Sequence, residues 1–107
     1  MTTPLDLSTR QDGNGRTVLT AAGEIDMSNA AGFRAALSQA SAGGAEFSVD
    51  LTRVVYLDSA GLTALLPYAP RIRVTATAVL APVLSVSGLD SITTVVPAPL
   101  TSPGESG

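Results

Sequence analysis

Asp58 and Ser59, in the segment Asp58-Ser59-Ala60-Gly61-Leu62, carry the clearest chemical capacity in this 107-residue chain. A serine hydroxyl beside a carboxylate suits three tasks: nucleophilic attack, acceptance of a phosphate, or capping of a helix. Nucleophilic catalysis needs a base to take the hydroxyl proton, and the chain has no histidine, while its six basic residues are all arginine. Only carboxylates such as Asp26 or Asp58 remain to act as base, so a serine hydrolase is not expected and no enzymatic activity is assigned. Cysteine is absent as well, which excludes disulfides and thiolate metal centres, and the lack of histidine excludes imidazole ligands.

Phosphate acceptance and capping both follow from position. The apolar run Val54-Val55-Tyr56-Leu57 hands over to a helix that starts at Asp58 or Ser59. At such a junction a hydroxyl lies near the positive end of the helix dipole, beside backbone N–H groups without intrahelical partners. A phosphate there would bring about -1.5 to -2 charges and three acceptor oxygens, which the helix start can solvate, so modification would disturb a packed partner rather than the fold. Asp-Ser before an apolar helix is above all a capping signal. Asp26 has the same two readings, as a cap for the preceding helix start or as a binding carboxylate, and Gly61 could simply permit close packing.

The elements that must position these residues are legible from hydrophobic periodicity. Leu5, Leu7 and Thr9 alternate with polar neighbours, Gln11-Asp12-Gly13-Asn14-Gly15 supplies a tight turn, and residues 16–22 resume as a second strand. Ser28 or Asn29 can cap a first helix in which Phe33, Ala36, Leu37 and Ala40 form one apolar stripe, ending at Gly43-Gly44. Residues 46–51 alternate as a strand, a turn is expected at Thr52-Arg53, and the 54–57 run leads to the second helix. That helix places Leu62, Leu65, Leu66 and Ala69 on one side, and Pro67 and Pro70 cut it short. Residues 71–75 read as a strand, Val79, Leu80, Val83, Leu84 and Val86 as a third helix capped at Gly88, and residues 92–96 as a last strand. The order strand, strand, then three helix–strand units predicts an α/β fold: a mixed sheet of about five strands, antiparallel at its start, with right-handed parallel crossovers covered by helices.

Composition fits one domain over residues 1–96, burying roughly two-thirds of its unfolded surface, and a disordered Pro/Gly/Ser tail over 97–107. The net charge is -3 and the arginines are scattered along the chain, so nucleic acid is not an expected partner. Met1-Thr2-Thr3-Pro4-Leu5-Asp6 has neither the basic start nor the apolar run of a signal peptide, and no stretch reaches the ~20 apolar residues of a membrane span. A cytoplasmic protein without direct membrane insertion is expected. Gly13-Asn14-Gly15 sits in a hairpin and Gly43-Gly44 follows a helix, so neither is a phosphate cradle, and no cofactor is predicted.

Two patterns together carry a family resemblance. Gly23-Glu24-Ile25-Asp26, a helix, then Val49-Asp50-Leu51 through Val54-Val55-Tyr56-Leu57-Asp58-Ser59-Ala60-Gly61-Leu62 closely resembles the STAS family of anti-sigma-factor antagonists, over most of residues 5–96. Ser87-Gly88-Leu89-Asp90 before the last strand is similar to the family's Gly-Leu-Asp turn. The resemblance implies a binding switch that, when unphosphorylated, engages an anti-sigma factor of serine-kinase fold and makes it release its sigma factor. It further implies Ser59 as phosphoacceptor, with Asp26, Asp58, Ser59 and Gly61 at the partner-binding surface, and a separate serine phosphatase that resets it. The partner would bring ATP, Mg²⁺ and the transfer chemistry. The alternative within the resemblance is a non-switching STAS subunit of a membrane transport complex, in which Asp58-Ser59 is only a cap. Three departures from the family pattern are the early Pro67 and Pro70, the short following strand, and the absence of a last helix after Val96. Oligomeric state, the particular anti-sigma and sigma factors, and the triggering stress are not encoded in a legible way.

Overall fold

The first chain reversal is built by one carboxylate. Asp12 Oδ1 accepts the backbone N–H groups of Asn14 (2.8 Å) and Arg16 (2.9 Å), and Gly15 takes a positive φ of 78° that other residues rarely adopt. This turn joins β1 (Asp6–Gln11) to β2 (Thr17–Ile25) as an antiparallel hairpin. The chain then runs through α1 (Ala30–Ala40), β3 (Phe47–Leu57), α2 (Ser59–Leu65) with a 3₁₀ extension (Leu66–Arg71), β4 (Ile72–Ala76), α3 (Ala81–Val86) and β5 (Thr94–Pro97). This computed structural model describes residues 4–42, 46–77, 80–86, 88 and 94–97.

The five strands lie in sequence order, β1-β2-β3-β4-β5, with every pair after the first parallel. Each crossover steps one strand in the same direction, so right-handed connections stack the helices on one face. That face carries the core: Leu19, Ala21, Ile25, Val49, Leu51, Val54, Leu57 and Val74 from the strands meet Phe33, Leu37, Leu65, Leu80 and Leu84 from the helical layer. The opposite face shows Thr20, Glu24, Ser48, Asp50, Arg73 and Thr75, none of them buried. The fold class is therefore the one expected, with five strands.

Several local expectations are corrected. No turn interrupts residues 52–53; β3 is one 11-residue strand with two register irregularities against β2, where three of its residues span the interval from Thr20 to Ala22 and two span the step from Gly23 to Glu24. Asp50 Oδ1 accepts the N–H (2.9 Å) and hydroxyl (2.6 Å) of Thr52 at the first irregularity, and Gly23, with φ 103°, stands at the second. Such bulges reset the two-residue alternation, so buried positions fall at Leu51, Val54 and Leu57, three apart. Leu66 is exposed instead of joining the core, because Pro67 lacks an N–H and the chain tightens there into the 3₁₀ segment; Ala64 is buried in its place.

The first helix ends earlier than expected: Ala40 is its last residue and Ser41 its C-cap, whose hydroxyl donates to the Ser38 carbonyl, while Gly43-Gly44 lie outside the described residues. Val79 and residues 92–93 are also outside them, the last strand is Thr94–Pro97, and residues 98–107 of the expected tail lie outside the described residues. Gly88 follows α3 with φ 80°, as a left-handed helix stop requires.

Candidate functional site

Parallel strands end level at one edge of the sheet, and α/β folds place their sites in the loops at that edge. Ile25 pairs with Leu57 at the ends of β2 and β3, and the next residues are Asp26 and Asp58. The Asp58 N–H donates to the Ile25 carbonyl at 3.1 Å, fastening the two loops side by side.

At the start of α2, Asp58 is the N-cap. Its backbone is extended (φ -97°, ψ -173°), and its Oδ1 accepts the N–H groups of Ala60 (2.9 Å) and Gly61 (3.2 Å). Its carbonyl receives the Leu62 N–H at 3.1 Å. Asp58 therefore satisfies the orphan donors that a Ser59 cap would have taken. Ser59 is the first helical residue, exposed, and among the described residues its hydroxyl has no hydrogen-bond partner. Its carbonyl accepts the Thr63 hydroxyl at 2.7 Å. Of the two residues that could cap this helix, the carboxylate does so and the hydroxyl is left facing solvent.

Gly61 is buried one turn into α2. A Cβ there would collide with Leu57 Cδ1 and lie 2.9 Å from Ile25 Cγ2. The glycine lets the helix sit directly on the strand ends that carry Asp26 and Asp58, and it presents no side chain to a partner.

The loop before α1 is held differently. Asp26 Oδ1 accepts the Ser28 N–H (2.9 Å) and the Ser28 hydroxyl (2.5 Å). These two bonds, the hydroxyl's foremost, hold the Asp26 carboxyl below its ordinary range. Asn29 occupies the N-cap position, yet its side chain makes no cap bond: it accepts the Asp26 N–H (3.0 Å) and donates to the Glu24 carbonyl (2.9 Å), latching the loop to the end of β2. Neither Ser28 nor Asp26 caps the helix by its side chain.

The residue reading missed the apolar surface around this edge. Among the described residues the exposed large hydrophobic side chains are Met27, Val55, Tyr56 and Leu66, with Met27 82% exposed. Met27 follows Asp26, and Val55 and Tyr56 precede Leu57-Asp58, whereas Leu66 lies at the far end of α2, about two helical turns beyond Ser59 and away from this edge. A methionine inside an otherwise polar loop was the one signal available for this surface.

The fold and this site define a member of the STAS domain family, and the chain belongs to it: residues 8–97 match the family model described as "Mlab, STAS domain". The fold is similar to that of an anti-sigma factor antagonist from Mycobacterium paratuberculosis, at 24% identity and TM-score 0.80, covering 89% of this chain and 87% of that one. It is similar also to the anti-sigma factor antagonist SpoIIAA in its unphosphorylated form, at 20% identity and TM-score 0.67, covering 88% and 89%. A protein with a SpoIIAA-like fold from Shewanella loihica aligns at 13% identity and TM-score 0.64, covering 92% and 89%. Comparison with curated protein sequences gives no match. Among the described residues no helix is long and apolar enough to cross a membrane.

Proposed function

We propose that this chain is an anti-sigma-factor antagonist that works as a phosphorylation-controlled binding switch. In its unphosphorylated form it engages an anti-sigma factor of serine-kinase fold, which then releases its sigma factor; a serine phosphatase restores the phosphorylated chain to the binding form. The observation that carries this reading is the division of labour at the start of α2, where Asp58 caps the helix and leaves the Ser59 hydroxyl exposed and unbonded. A hydroxyl with no structural duty can be modified without loss of fold. The partner supplies ATP, Mg²⁺ and the base that takes the hydroxyl proton, so this chain need only present its acceptor.

Charge and apolar surface give the switch its two states. Unphosphorylated, the loops at this edge offer the exposed Met27, Val55 and Tyr56 for burial by a partner. A phosphate would add about -1.5 to -2 charges beside Asp58 and the neighbouring Asp26 loop; contrary to the expectation that the helix start would solvate it, the Ala60 and Gly61 N–H groups are already given to Asp58, so a packed partner would meet an uncompensated anion. Asp26, kept ionised by Ser28, extends the acidic rim, and Gly61 acts by setting the height of the helix.

Incubation with the cognate anti-sigma kinase and ATP should add one phosphate, and Ser59→Ala should abolish it; incorporation that survives this substitution would remove Ser59 as acceptor. A pull-down from native cytosol should recover the anti-sigma factor with the wild-type chain and lose it with Ser59→Asp. A non-switching STAS subunit of a membrane transport complex is the second reading, favoured by the fact that Asp58 completes its cap without any modification. It predicts co-purification with a membrane complex and no phosphate on Ser59.

A further inference from the structure

At the opposite edge of the sheet, where the parallel strands begin, arginines far apart in sequence converge. Arg16 leads into β2, Arg71 closes the 3₁₀ segment and Arg73 lies in β4; with Glu46, Phe47, Pro70 and Ile72 they line a cleft of about 120 Å³. Half of the chain's six basic residues thus meet in one place on a molecule of net charge -3. Glu46 is the single acidic residue in the cleft's lining, against three arginines. Among the described residues Glu46 pairs only with Arg16, through a 3.8 Å contact whose side chains are 37% (Arg16) and 69% (Glu46) exposed, a weak pair in solvent.

Arg71 is preset for binding. Its guanidinium lies over the Tyr68 ring, 5.8 Å from the centroid, and Tyr68 meets the buried Phe47 edge-on at 6.0 Å. Stacked arginine keeps its planar fork of donors available while losing less freedom on binding than a free side chain. The cleft's volume is below the ~300 Å³ at which pockets begin to enclose drug-sized ligands. It has room for a single oxyanion group.

We propose that the Arg16–Arg71–Arg73 cleft is a binding site for phosphate, either the free ion or the terminal group of a phosphate monoester. The site is separate from the Ser59 edge and does not depend on the proposed switch. The acidic Ser59 edge, with Asp26 and Asp58, has the wrong sign for the same ligand.

Titrating the full chain with inorganic phosphate, at ionic strength matched with sodium chloride and followed by backbone-amide NMR, should give saturable shifts at Arg16, Phe47, Ile72 and Arg73. The Ala60 and Gly61 amides should stay still. Arg71→Gln and Arg73→Gln should each weaken half-saturation by at least about threefold, as loss of a charge-assisted donor requires, and Glu46→Gln should tighten it by about twofold. The spectra of the variants report folding in the same experiment. Shifts that rise without saturating, that acetate reproduces, or that keep the same midpoint in both arginine variants would overturn the site. Glycerol phosphate saturating the same amides at lower concentration than inorganic phosphate assigns the site to a monoester; the reverse order assigns it to the free ion.

Discussion

The two helix starts at the Ser59 edge share a sequence plan and use it in opposite ways. Asn29 precedes Ala30-Ala31-Gly32-Phe33 in α1, and Asp58 precedes Ser59-Ala60-Gly61-Leu62 in α2. Each has a capping residue type, then a glycine at the third helical position. In α2 the cap is made and the glycine is obligatory, whereas in α1 the Asn29 amide is given to the loop and a Cβ on Gly32 would meet nothing within 4 Å. The serines differ as well. Ser28, two residues after Asp26, is held by that carboxylate, while Ser59, immediately after Asp58, is passed over in favour of the N–H groups beyond it. One residue of spacing decides which hydroxyl is committed and which is free.

The sharpest way to break this contrast is by phosphate transfer. Ser59 should be the sole acceptor at this edge, with Ser28→Ala leaving incorporation intact and Ser59→Ala reducing it to background in a mass-spectrometric assay. Second in size, Gly61→Val should destabilise by about 1–3 kcal/mol in chemical denaturation, through the clash with Leu57 and Ile25. Asp58→Ala should lose about 1 kcal/mol, as loss of an N-cap does, while Asp58→Asn keeps most of it. Gly32→Ala should shift stability the other way, by about 0.5–1 kcal/mol, since an exposed helical glycine with open space gains from a methyl group. If Gly32→Ala destabilised, the loop before α1 would be more tightly packed than its contacts indicate.

The smallest effect is on titration. Asp26 is depressed below its ordinary value of 3.8, so the folded chain keeps it ionised to lower pH than the unfolded chain. Its contribution to stability is therefore full above 3.8 and is lost as pH falls through the depressed value. Ser28→Ala removes the main cause and should raise the Asp26 midpoint toward 3.8 in a carboxyl ¹³C titration. An unchanged midpoint would mean that the hydroxyl is not what holds it.

The element order, the hairpin turn and the buried face of α1 were legible because their signals are local: Asp12 and Gly15 in the turn, Phe33 and Leu37 one helical turn apart. Asp58 and Ser59 were legible as a helix start but not as cap and free hydroxyl, since both residue types cap well and only the backbone geometry chooses. In sequence the bulges of β3 look like a turn, because a three-residue spacing of apolar positions breaks strand alternation in either case. The arginine cleft could not be read at all: Arg16 leads into β2 and Arg71 into β4, on either side of the start of β3, and the chain between them gives no hint of it.

Those bulges also match lengths. From Ser48 to Leu57 β3 takes nine residue steps, against seven from Val18 to Ile25 in β2, yet both strands finish opposite each other. The surplus is folded away inside the sheet instead of being pushed out at its end. Like slack taken up along a seam, it keeps the hem straight, and the two acidic loops emerge at one height. A one-residue deletion between Val54 and Leu57 would remove one of the two surplus residues, pulling on the Asp58 loop where it is fastened to the Ile25 carbonyl.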